Sequence, residues 1–211
     1  MKKLKLYDWN GTLVTLDGLR AYFEEHHAQL WHEYKILGDR DPELKKKHLP
    51  RMMELVEYAT QNDLYPVNVM PRAVERLQAD QTEGFRRVVF TSISRELLRK
   101  QSRELGIANL VDEVITLEDM KQEFGLEGVT KESPETYQAL VQFLQQHNLG
   151  ICETYTDDGK PRIITAVEVN RMFAERSLPG LGRLYLLDPK AKESLMEQPG
   201  YKVINNLQLV R

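Results

Sequence analysis

From about residue 70 onward the chain alternates short, continuously apolar runs with longer amphipathic ones, and this alternation limits the possible folds most. "RRVVFTS" carries Val88, Val89 and Phe90 without a break, and "DEVITL", "CETYT", "GRLYLLD" and "YKVINN" are read as further strands. Between them lie "RAVERLQADQ", "SRELLRKQSRELG", "SPETYQALVQFLQQHNLG" and "PRIITAVEVNRMFAER", each patterned as a helix. Ser94 and Ser133 stand where helix caps are expected, with Pro134 in a first turn and Gly106 as a stop. Unbroken apolar strands separated by helices predict an α/β fold, a parallel sheet covered by helices on both faces.

The first strand of that sheet is expected at residues 4 to 7, and it runs into "DWNGTLV". Asn10-Gly11 is a strong hairpin signal. A hairpin, however, needs an alternating partner strand directly afterwards. The next apolar residues are Leu13, Val14 and Leu16, and a long helical pattern succeeds them, so a strand, a tight turn and a helical excursion fit better. In "LDGLRAYFEEHHAQLWHEYKIL" the apolar residues recur at helical spacing, with Tyr22, Phe23 and Trp31 expected in the core of that excursion. A second helix should come after it, capped by Asp41 or Asp39, with Pro42 in its first turn and a break or bend at Pro50. "LYPVNVMP" reads as the linker back to the sheet.

Ligands of open parallel sheets bind beyond the carboxyl ends of the strands. Those ends carry Asp8, then Thr91-Ser92, then Asp157-Asp158. Oxygen donors of this kind suit a hard divalent cation such as Mg²⁺, which takes one or two carboxylates and leaves positions for substrate phosphate and water. The Thr91 hydroxyl and the amides after it are placed to hold phosphate oxygens. Lys131, just ahead of a helix and in competition with Lys121 for the role, is placed to neutralise developing charge and keep Asp8 ionised. Asp8 could then attack phosphorus and form an aspartyl-phosphate.

Composition narrows the remaining classes. A formal net charge of -3 gives no basic field for nucleic acid or an anionic membrane. One cysteine, Cys152, excludes a disulfide framework within this chain and reads as a small core residue. No apolar run approaches the ~20 residues of a membrane helix, and Asp8 interrupts any signal-like core. A cytoplasmic location is therefore expected, with no nucleic acid or membrane partner and an oligomeric state left open. His26, His27, His32 and His48 do not share one helical face, which argues against zinc.

The motifs in order resemble those of the haloacid dehalogenase superfamily of phosphotransferases. "KLYDWNGTLV" resembles its first motif, "RVVFTSISRELL" its second, "VTKESPETYQALV" its third and "YTDDGKPRIITAVEVN" its fourth. The resemblance implies a Rossmann-like parallel-sheet core over 1–14 and 70–211, with a small α-helical cap at 15–69. It implies a Mg²⁺-dependent phosphatase of small phosphorylated metabolites. Asp8 would be nucleophile and metal ligand, and the Asn10 main-chain carbonyl a second ligand. Thr91 and Ser92 would bind phosphate, with Lys131 paired to it. Asp158 would hold the metal directly or through water, with Asp157 beside it. Gly11 would permit the turn and Thr12 would brace it.

Two positions depart from the family pattern. Asn10 stands where the acid/base carboxylate is usual, and an amide cannot protonate a leaving alkoxide. Arg162 stands where another acid is usual; it either adds a phosphate-sized clamp or points away. The competing expectation is a catalytically impaired relative that binds phosphate, metal or a partner.

Overall fold

A computed structural model describes residues 2–37 and 41–210. The chain divides into two compact units, Met1–Val14 with Val69–Arg211, and Thr15–Asn68.

The first unit is built on seven strands: β1 (Lys3–Tyr7), β2 (Arg86–Thr91), β3 (Glu113–Thr116), β4 (Ile151–Asp157), β5 (Arg183–Leu187), β6 (Leu195–Gln198) and β7 (Tyr201–Ile204). Their order is β3-β2-β1-β4-β5-β7-β6, parallel throughout except for the β6–β7 pair. The helices are α4 (Ala73–Thr82), α5 (Arg95–Glu104), α6 (Leu117–Phe124), α7 (Pro134–Gln146) and α8 (Lys160–Glu175), numbered to follow α1–α3 of the second unit. β1 is central, between β2 and β4, and its last four residues are buried. Leu4 and Leu6 join one apolar core with Tyr137, Leu140 and Ile163 from α7 and α8. The period of two sends Lys5 and Tyr7 to the other face. There they meet Asp80 of α4, fully buried: Lys5 Nζ lies 2.7 Å from Oδ1 and Tyr7 donates to Oδ2 at 2.5 Å. Arg76 completes the network with 2.5 Å to Asp80 and 3.0 Å to the Val210 carbonyl, which ties α4 to the chain's last turn.

Three elements differ from expectation. α6 follows β3 without a gap, so an apolar reading of "DEVITL" hides it. Its signal was present: Thr116 and Asp119 form a reciprocal capping box, with bonds of 3.1 and 2.6 Å. β6 is an edge strand whose residues are largely exposed, so it lacks the apolar run that marks the parallel strands. Ser133 precedes α7, but its hydroxyl accepts from the Thr130 amide at 3.1 Å and shapes the preceding loop. Ser94 does cap α5, accepting from the Leu97 amide.

The second unit is helical: α1 (Asp17–His26), α2 (Ala28–Trp31), a wider π-helical turn (His32–Leu37) and α3 (Pro42–Gln61). Leu19, Tyr22, Phe23, Met52, Leu55 and Ala59 form its core, and Trp31 stacks on Phe23 at 5.5 Å. Asp41 caps α3, accepting from Glu43 and Leu44; Asp39 lies outside the described residues. Pro50 does not break α3, which runs through it. Proline removes one amide donor there, and the packing of Met52, Leu55 and Ala59 carries the helix past it. Thr15 and Asn68 are joined by a backbone bond of 2.8 Å, so the unit's two ends lie side by side. No helix among the described residues is long and apolar enough to cross a membrane.

Candidate active site

The site is set by strand register. Tyr7 of β1 pairs with Thr156 of β4, so the next residues, Asp8 and Asp157, leave the sheet side by side. The Asp8 amide extends the ladder by one bond to the Thr156 carbonyl, at 2.9 Å. One carboxylate oxygen from each of Asp8, Asp157 and Asp158 falls within 4.8 Å of the others.

After Asp8 the backbone closes into a tight loop: Trp9 accepts through its carbonyl from Leu13 and Val14, and the Gly11 amide reaches the Val14 carbonyl at 2.7 Å. The Trp9 ring is fully buried and donates to Gln101 at 2.7 Å, which anchors this loop to α5. Gly11 has φ +83°, and a Cβ there would lie 2.0 Å from Asp158 Oδ2. No side chain can stand at this position without displacing that carboxylate. Asn10 is half-buried. The buried Thr12 hydroxyl has no hydrogen-bond partner among the described residues, so it does not brace the turn by such a bond.

Two cations meet the carboxylates. Lys131, in the loop before α7, places Nζ 2.7 Å from Asp8 Oδ1, 3.2 Å from Asp157 Oδ2 and 3.1 Å from the Phe90 carbonyl. Arg162, in the first turn of α8, engages all three acids. Its Nη1 lies 3.2 Å from Asp8 Oδ2, its Nε 3.0 Å from Asp157 Oδ1 and its Nη2 2.7 Å from Asp158 Oδ1. Arg162 therefore points into the cluster. Asp8 is only 2% exposed, and each of its oxygens meets one of the two cations.

The three acids differ in environment. Asp157 is fully buried, accepts from Tyr155, Lys131 and the Gly159 amide, and forms an ion pair with Arg162. Burial pushes its carboxyl up, but these partners outweigh it and hold the group below the usual aspartate range. Burial raises the Asp8 carboxyl, repulsion from Asp157 adds to this, and Lys131 and Arg162 only partly offset it. Asp158, about 22% exposed at its side chain, is pushed up to about 7 by burial and by the neighbouring acids, against the pull of Arg162. Tyr155 is the strut that sequence reading passed over. It sits two residues before Asp157 on the same face of β4, a period-two relation that the sequence does contain.

Thr91 ends β2 and is buried; its oxygen accepts from the Ile93 amide at 3.3 Å, leaving its proton for another acceptor. Ser92, next in the loop, is exposed. Lys121 belongs to α6 and is half-buried.

No family model matches the chain, and no curated protein does. Solved structures do. A haloacid dehalogenase-like (HAD) phosphatase from Thermococcus onnurineus is 17% identical with a TM-score of 0.60, over 99% of this chain and 95% of that one. The HAD hydrolase YfnB from Bacillus subtilis, solved bound to magnesium, is 14% identical with a TM-score of 0.59, over 99% and 96%. The L-2-haloacid dehalogenase RSc1362 is 12% identical with a TM-score of 0.62, over 98% and 96%. At these identities the likeness establishes the architecture.

Proposed function

We propose that this chain, which has the haloacid dehalogenase-like fold, is a phosphoric monoester hydrolase of small phosphorylated metabolites that works through Asp8. The observation that carries the reading is the convergence of Asp8, Asp157, Asp158 and Lys131 at the carboxyl ends of β1 and β4. The donor set is all oxygen, as Mg²⁺ requires. Asp157 has three protein hydrogen bonds and an ion pair with Arg162 on its two oxygens, whereas Asp158 Oδ1 takes Arg162 and Oδ2 lies against the bare backbone of Gly11. Asp8 and Asp158, with the Asn10 main-chain carbonyl, are thus the residues that would hold the ion, and Asp157 is a strut. Bound there, Mg²⁺ would offset the repulsion between a phosphate and these acids.

The chain's own residues then divide the work. An Asp8 oxygen attacks phosphorus as the bond to the leaving oxygen breaks, and the product is an aspartyl-phosphate plus an alkoxide. The alkoxide takes its proton from water, because the Asn10 amide has none to give. Lys131 and the Thr91 hydroxyl hold phosphate oxygens. Water attacks the phosphoryl group and releases inorganic phosphate with Asp8 restored. The helical unit at 15–68 acts as the cap that selects the substrate.

A second reading is a binding protein of the same fold. It is favoured by Asn10 and by the two cations already on Asp8. Release of an aryl alcohol from an aryl phosphate separates the two, because that leaving group needs little acid help. Turnover that requires Mg²⁺ and is lost in Asp8→Asn is expected. Equal rates for both proteins, with and without Mg²⁺, would leave the binding reading standing. A parallel arm with a 2-halocarboxylate, scored by halide release, covers the chemistry named for RSc1362.

A further inference from the structure

The three nitrogens of one guanidinium occupy the space that three carboxylates enclose. Arg162 Nε, Nη1 and Nη2 are each committed to a different acid, Asp157, Asp8 and Asp158. The local backbone makes room for this. Gly159 has φ -89° and ψ 105°, a conformation open to any residue, so the turn itself does not need glycine. A Cβ at position 159, however, would lie 2.1 Å from Arg162 Nε and 2.5 Å from Nη2. Glycine there leaves room for the guanidinium in its present position, and a methyl would push it aside. The i, i+4 spacing from Asp158 to Arg162 and the start of α8 between them fix the approach.

We propose that Arg162 is a built-in competitor for the divalent cation, the residue that sets how tightly the site takes Mg²⁺. This rests on the metal-dependent reading above and goes one step beyond it. Mg²⁺ bonds to oxygen at about 2.1 Å. Arg162 already engages Asp8 through Oδ2 and Asp158 through Oδ1, so an ion on the same two carboxylates would face a cation drawing on the same negative charge, and the two would repel each other. The charges point the same way. With all three acids ionised, as a bound cation would hold them, they face two cationic side chains, Lys131 and Arg162, leaving one net negative charge for the ion. Without Arg162 there would be two. For Mg²⁺ to enter, Arg162 must swing out toward solvent; its side chain is 22% exposed and lies at the outer layer of the cluster beside Asp158. Once displaced, its fork is free to take a phosphate or carboxylate of the substrate.

The test is a calorimetric titration of metal-free protein with Mg²⁺ alone, no substrate present, on the wild type, Arg162→Gln and Gly159→Ala. The expected result is about tenfold or more tighter Mg²⁺ binding in Arg162→Gln, with Gly159→Ala between it and the wild type. Free guanidinium ion, well below unfolding concentrations, should weaken binding to Arg162→Gln and leave the wild type unchanged. Equal affinity in all three proteins overturns the proposal while leaving the metal site intact. Absence of binding in all three, each folded by circular dichroism, overturns both the proposal and the metal-dependent reading. If Arg162→Gln is unstable without metal, its melting temperature against Mg²⁺ becomes the readout. A steeper rise than in the wild type supports the competitor role, and no rise overturns it.

Discussion

Lys131 Nζ lies 2.7 Å from Asp8 Oδ1 across 123 residues of sequence, and both side chains are buried. Lys131 also reaches Asp157, so one ammonium separates two carboxylates that strand register places side by side. Its removal would leave like charges facing each other at low dielectric. Lys131→Met should lower kcat/KM on an aryl phosphate about 100-fold or more. Urea denaturation should record a loss of about 3–5 kcal/mol, the usual cost of breaking one side of a buried pair.

A second buried charge cluster lies on the opposite face of β1 from Leu4 and Leu6. Asp80 receives Lys5, Tyr7 and Arg76. Asp80→Asn leaves Lys5 and Arg76 with only the more exposed Glu83 as counter-charge and should cost up to about 3–5 kcal/mol. Because Arg76 holds the Val210 carbonyl, amide exchange around Leu207–Leu209 should quicken more in this variant than exchange in β5.

Gly11→Ala tests the close approach of turn and carboxylate. The methyl would overlap Asp158 Oδ2, and φ +83° disfavours any L side chain. A stability loss of about 1–2 kcal/mol is expected from the backbone alone. Displacement of Asp158 should lower turnover about 100-fold. Melting temperature and steady-state kinetics on the same preparation separate the two effects.

Asp112 gives the stability a defined pH dependence. It accepts three bonds from Arg87, at 2.8, 2.7 and 2.6 Å. Partial burial would raise its carboxyl, but these bonds outweigh it and hold the group below the usual value. A depressed folded pKa means the contribution is present above the unfolded value and disappears as pH falls through the folded one. Urea midpoints of wild type and Asp112→Asn should therefore differ at pH 6 and converge in the acid range below the ordinary aspartate pKa. A constant gap down to pH 2 would show that the ion pair is not the cause.

Asn10→Asp supplies the missing acid. It should raise turnover of alkyl phosphates about 100-fold and of aryl phosphates much less, since an aryl oxide leaves without help. Equal gains on both substrates would mean that the residue acts through the metal site and not through the proton.

Much of this was legible because it is local and periodic. Apolar runs marked β2 and β5, and the acids at the ends of β1 and β4 marked the rim. The misses share a physical cause. β6 is stabilised by pairing with β7 and not by its own apolar content. α3 survives Pro50 because its far turn is packed. The buried pairing of Lys5 was not legible, because its counter-charge, Asp80, lies 75 residues away.

The sequence by itself determined the α/β architecture and the residue types at the strand ends, since hydrophobic period and turn chemistry are written in neighbouring residues. Only the tertiary structure decided what those ends do to one another. Distance between side chains remote in sequence is set by strand order and register, and electrostatic interaction depends on that distance. This is why Asp157 became a saturated strut, Asp158 the more open acid, and Arg162 a cation turned inward among all three carboxylates.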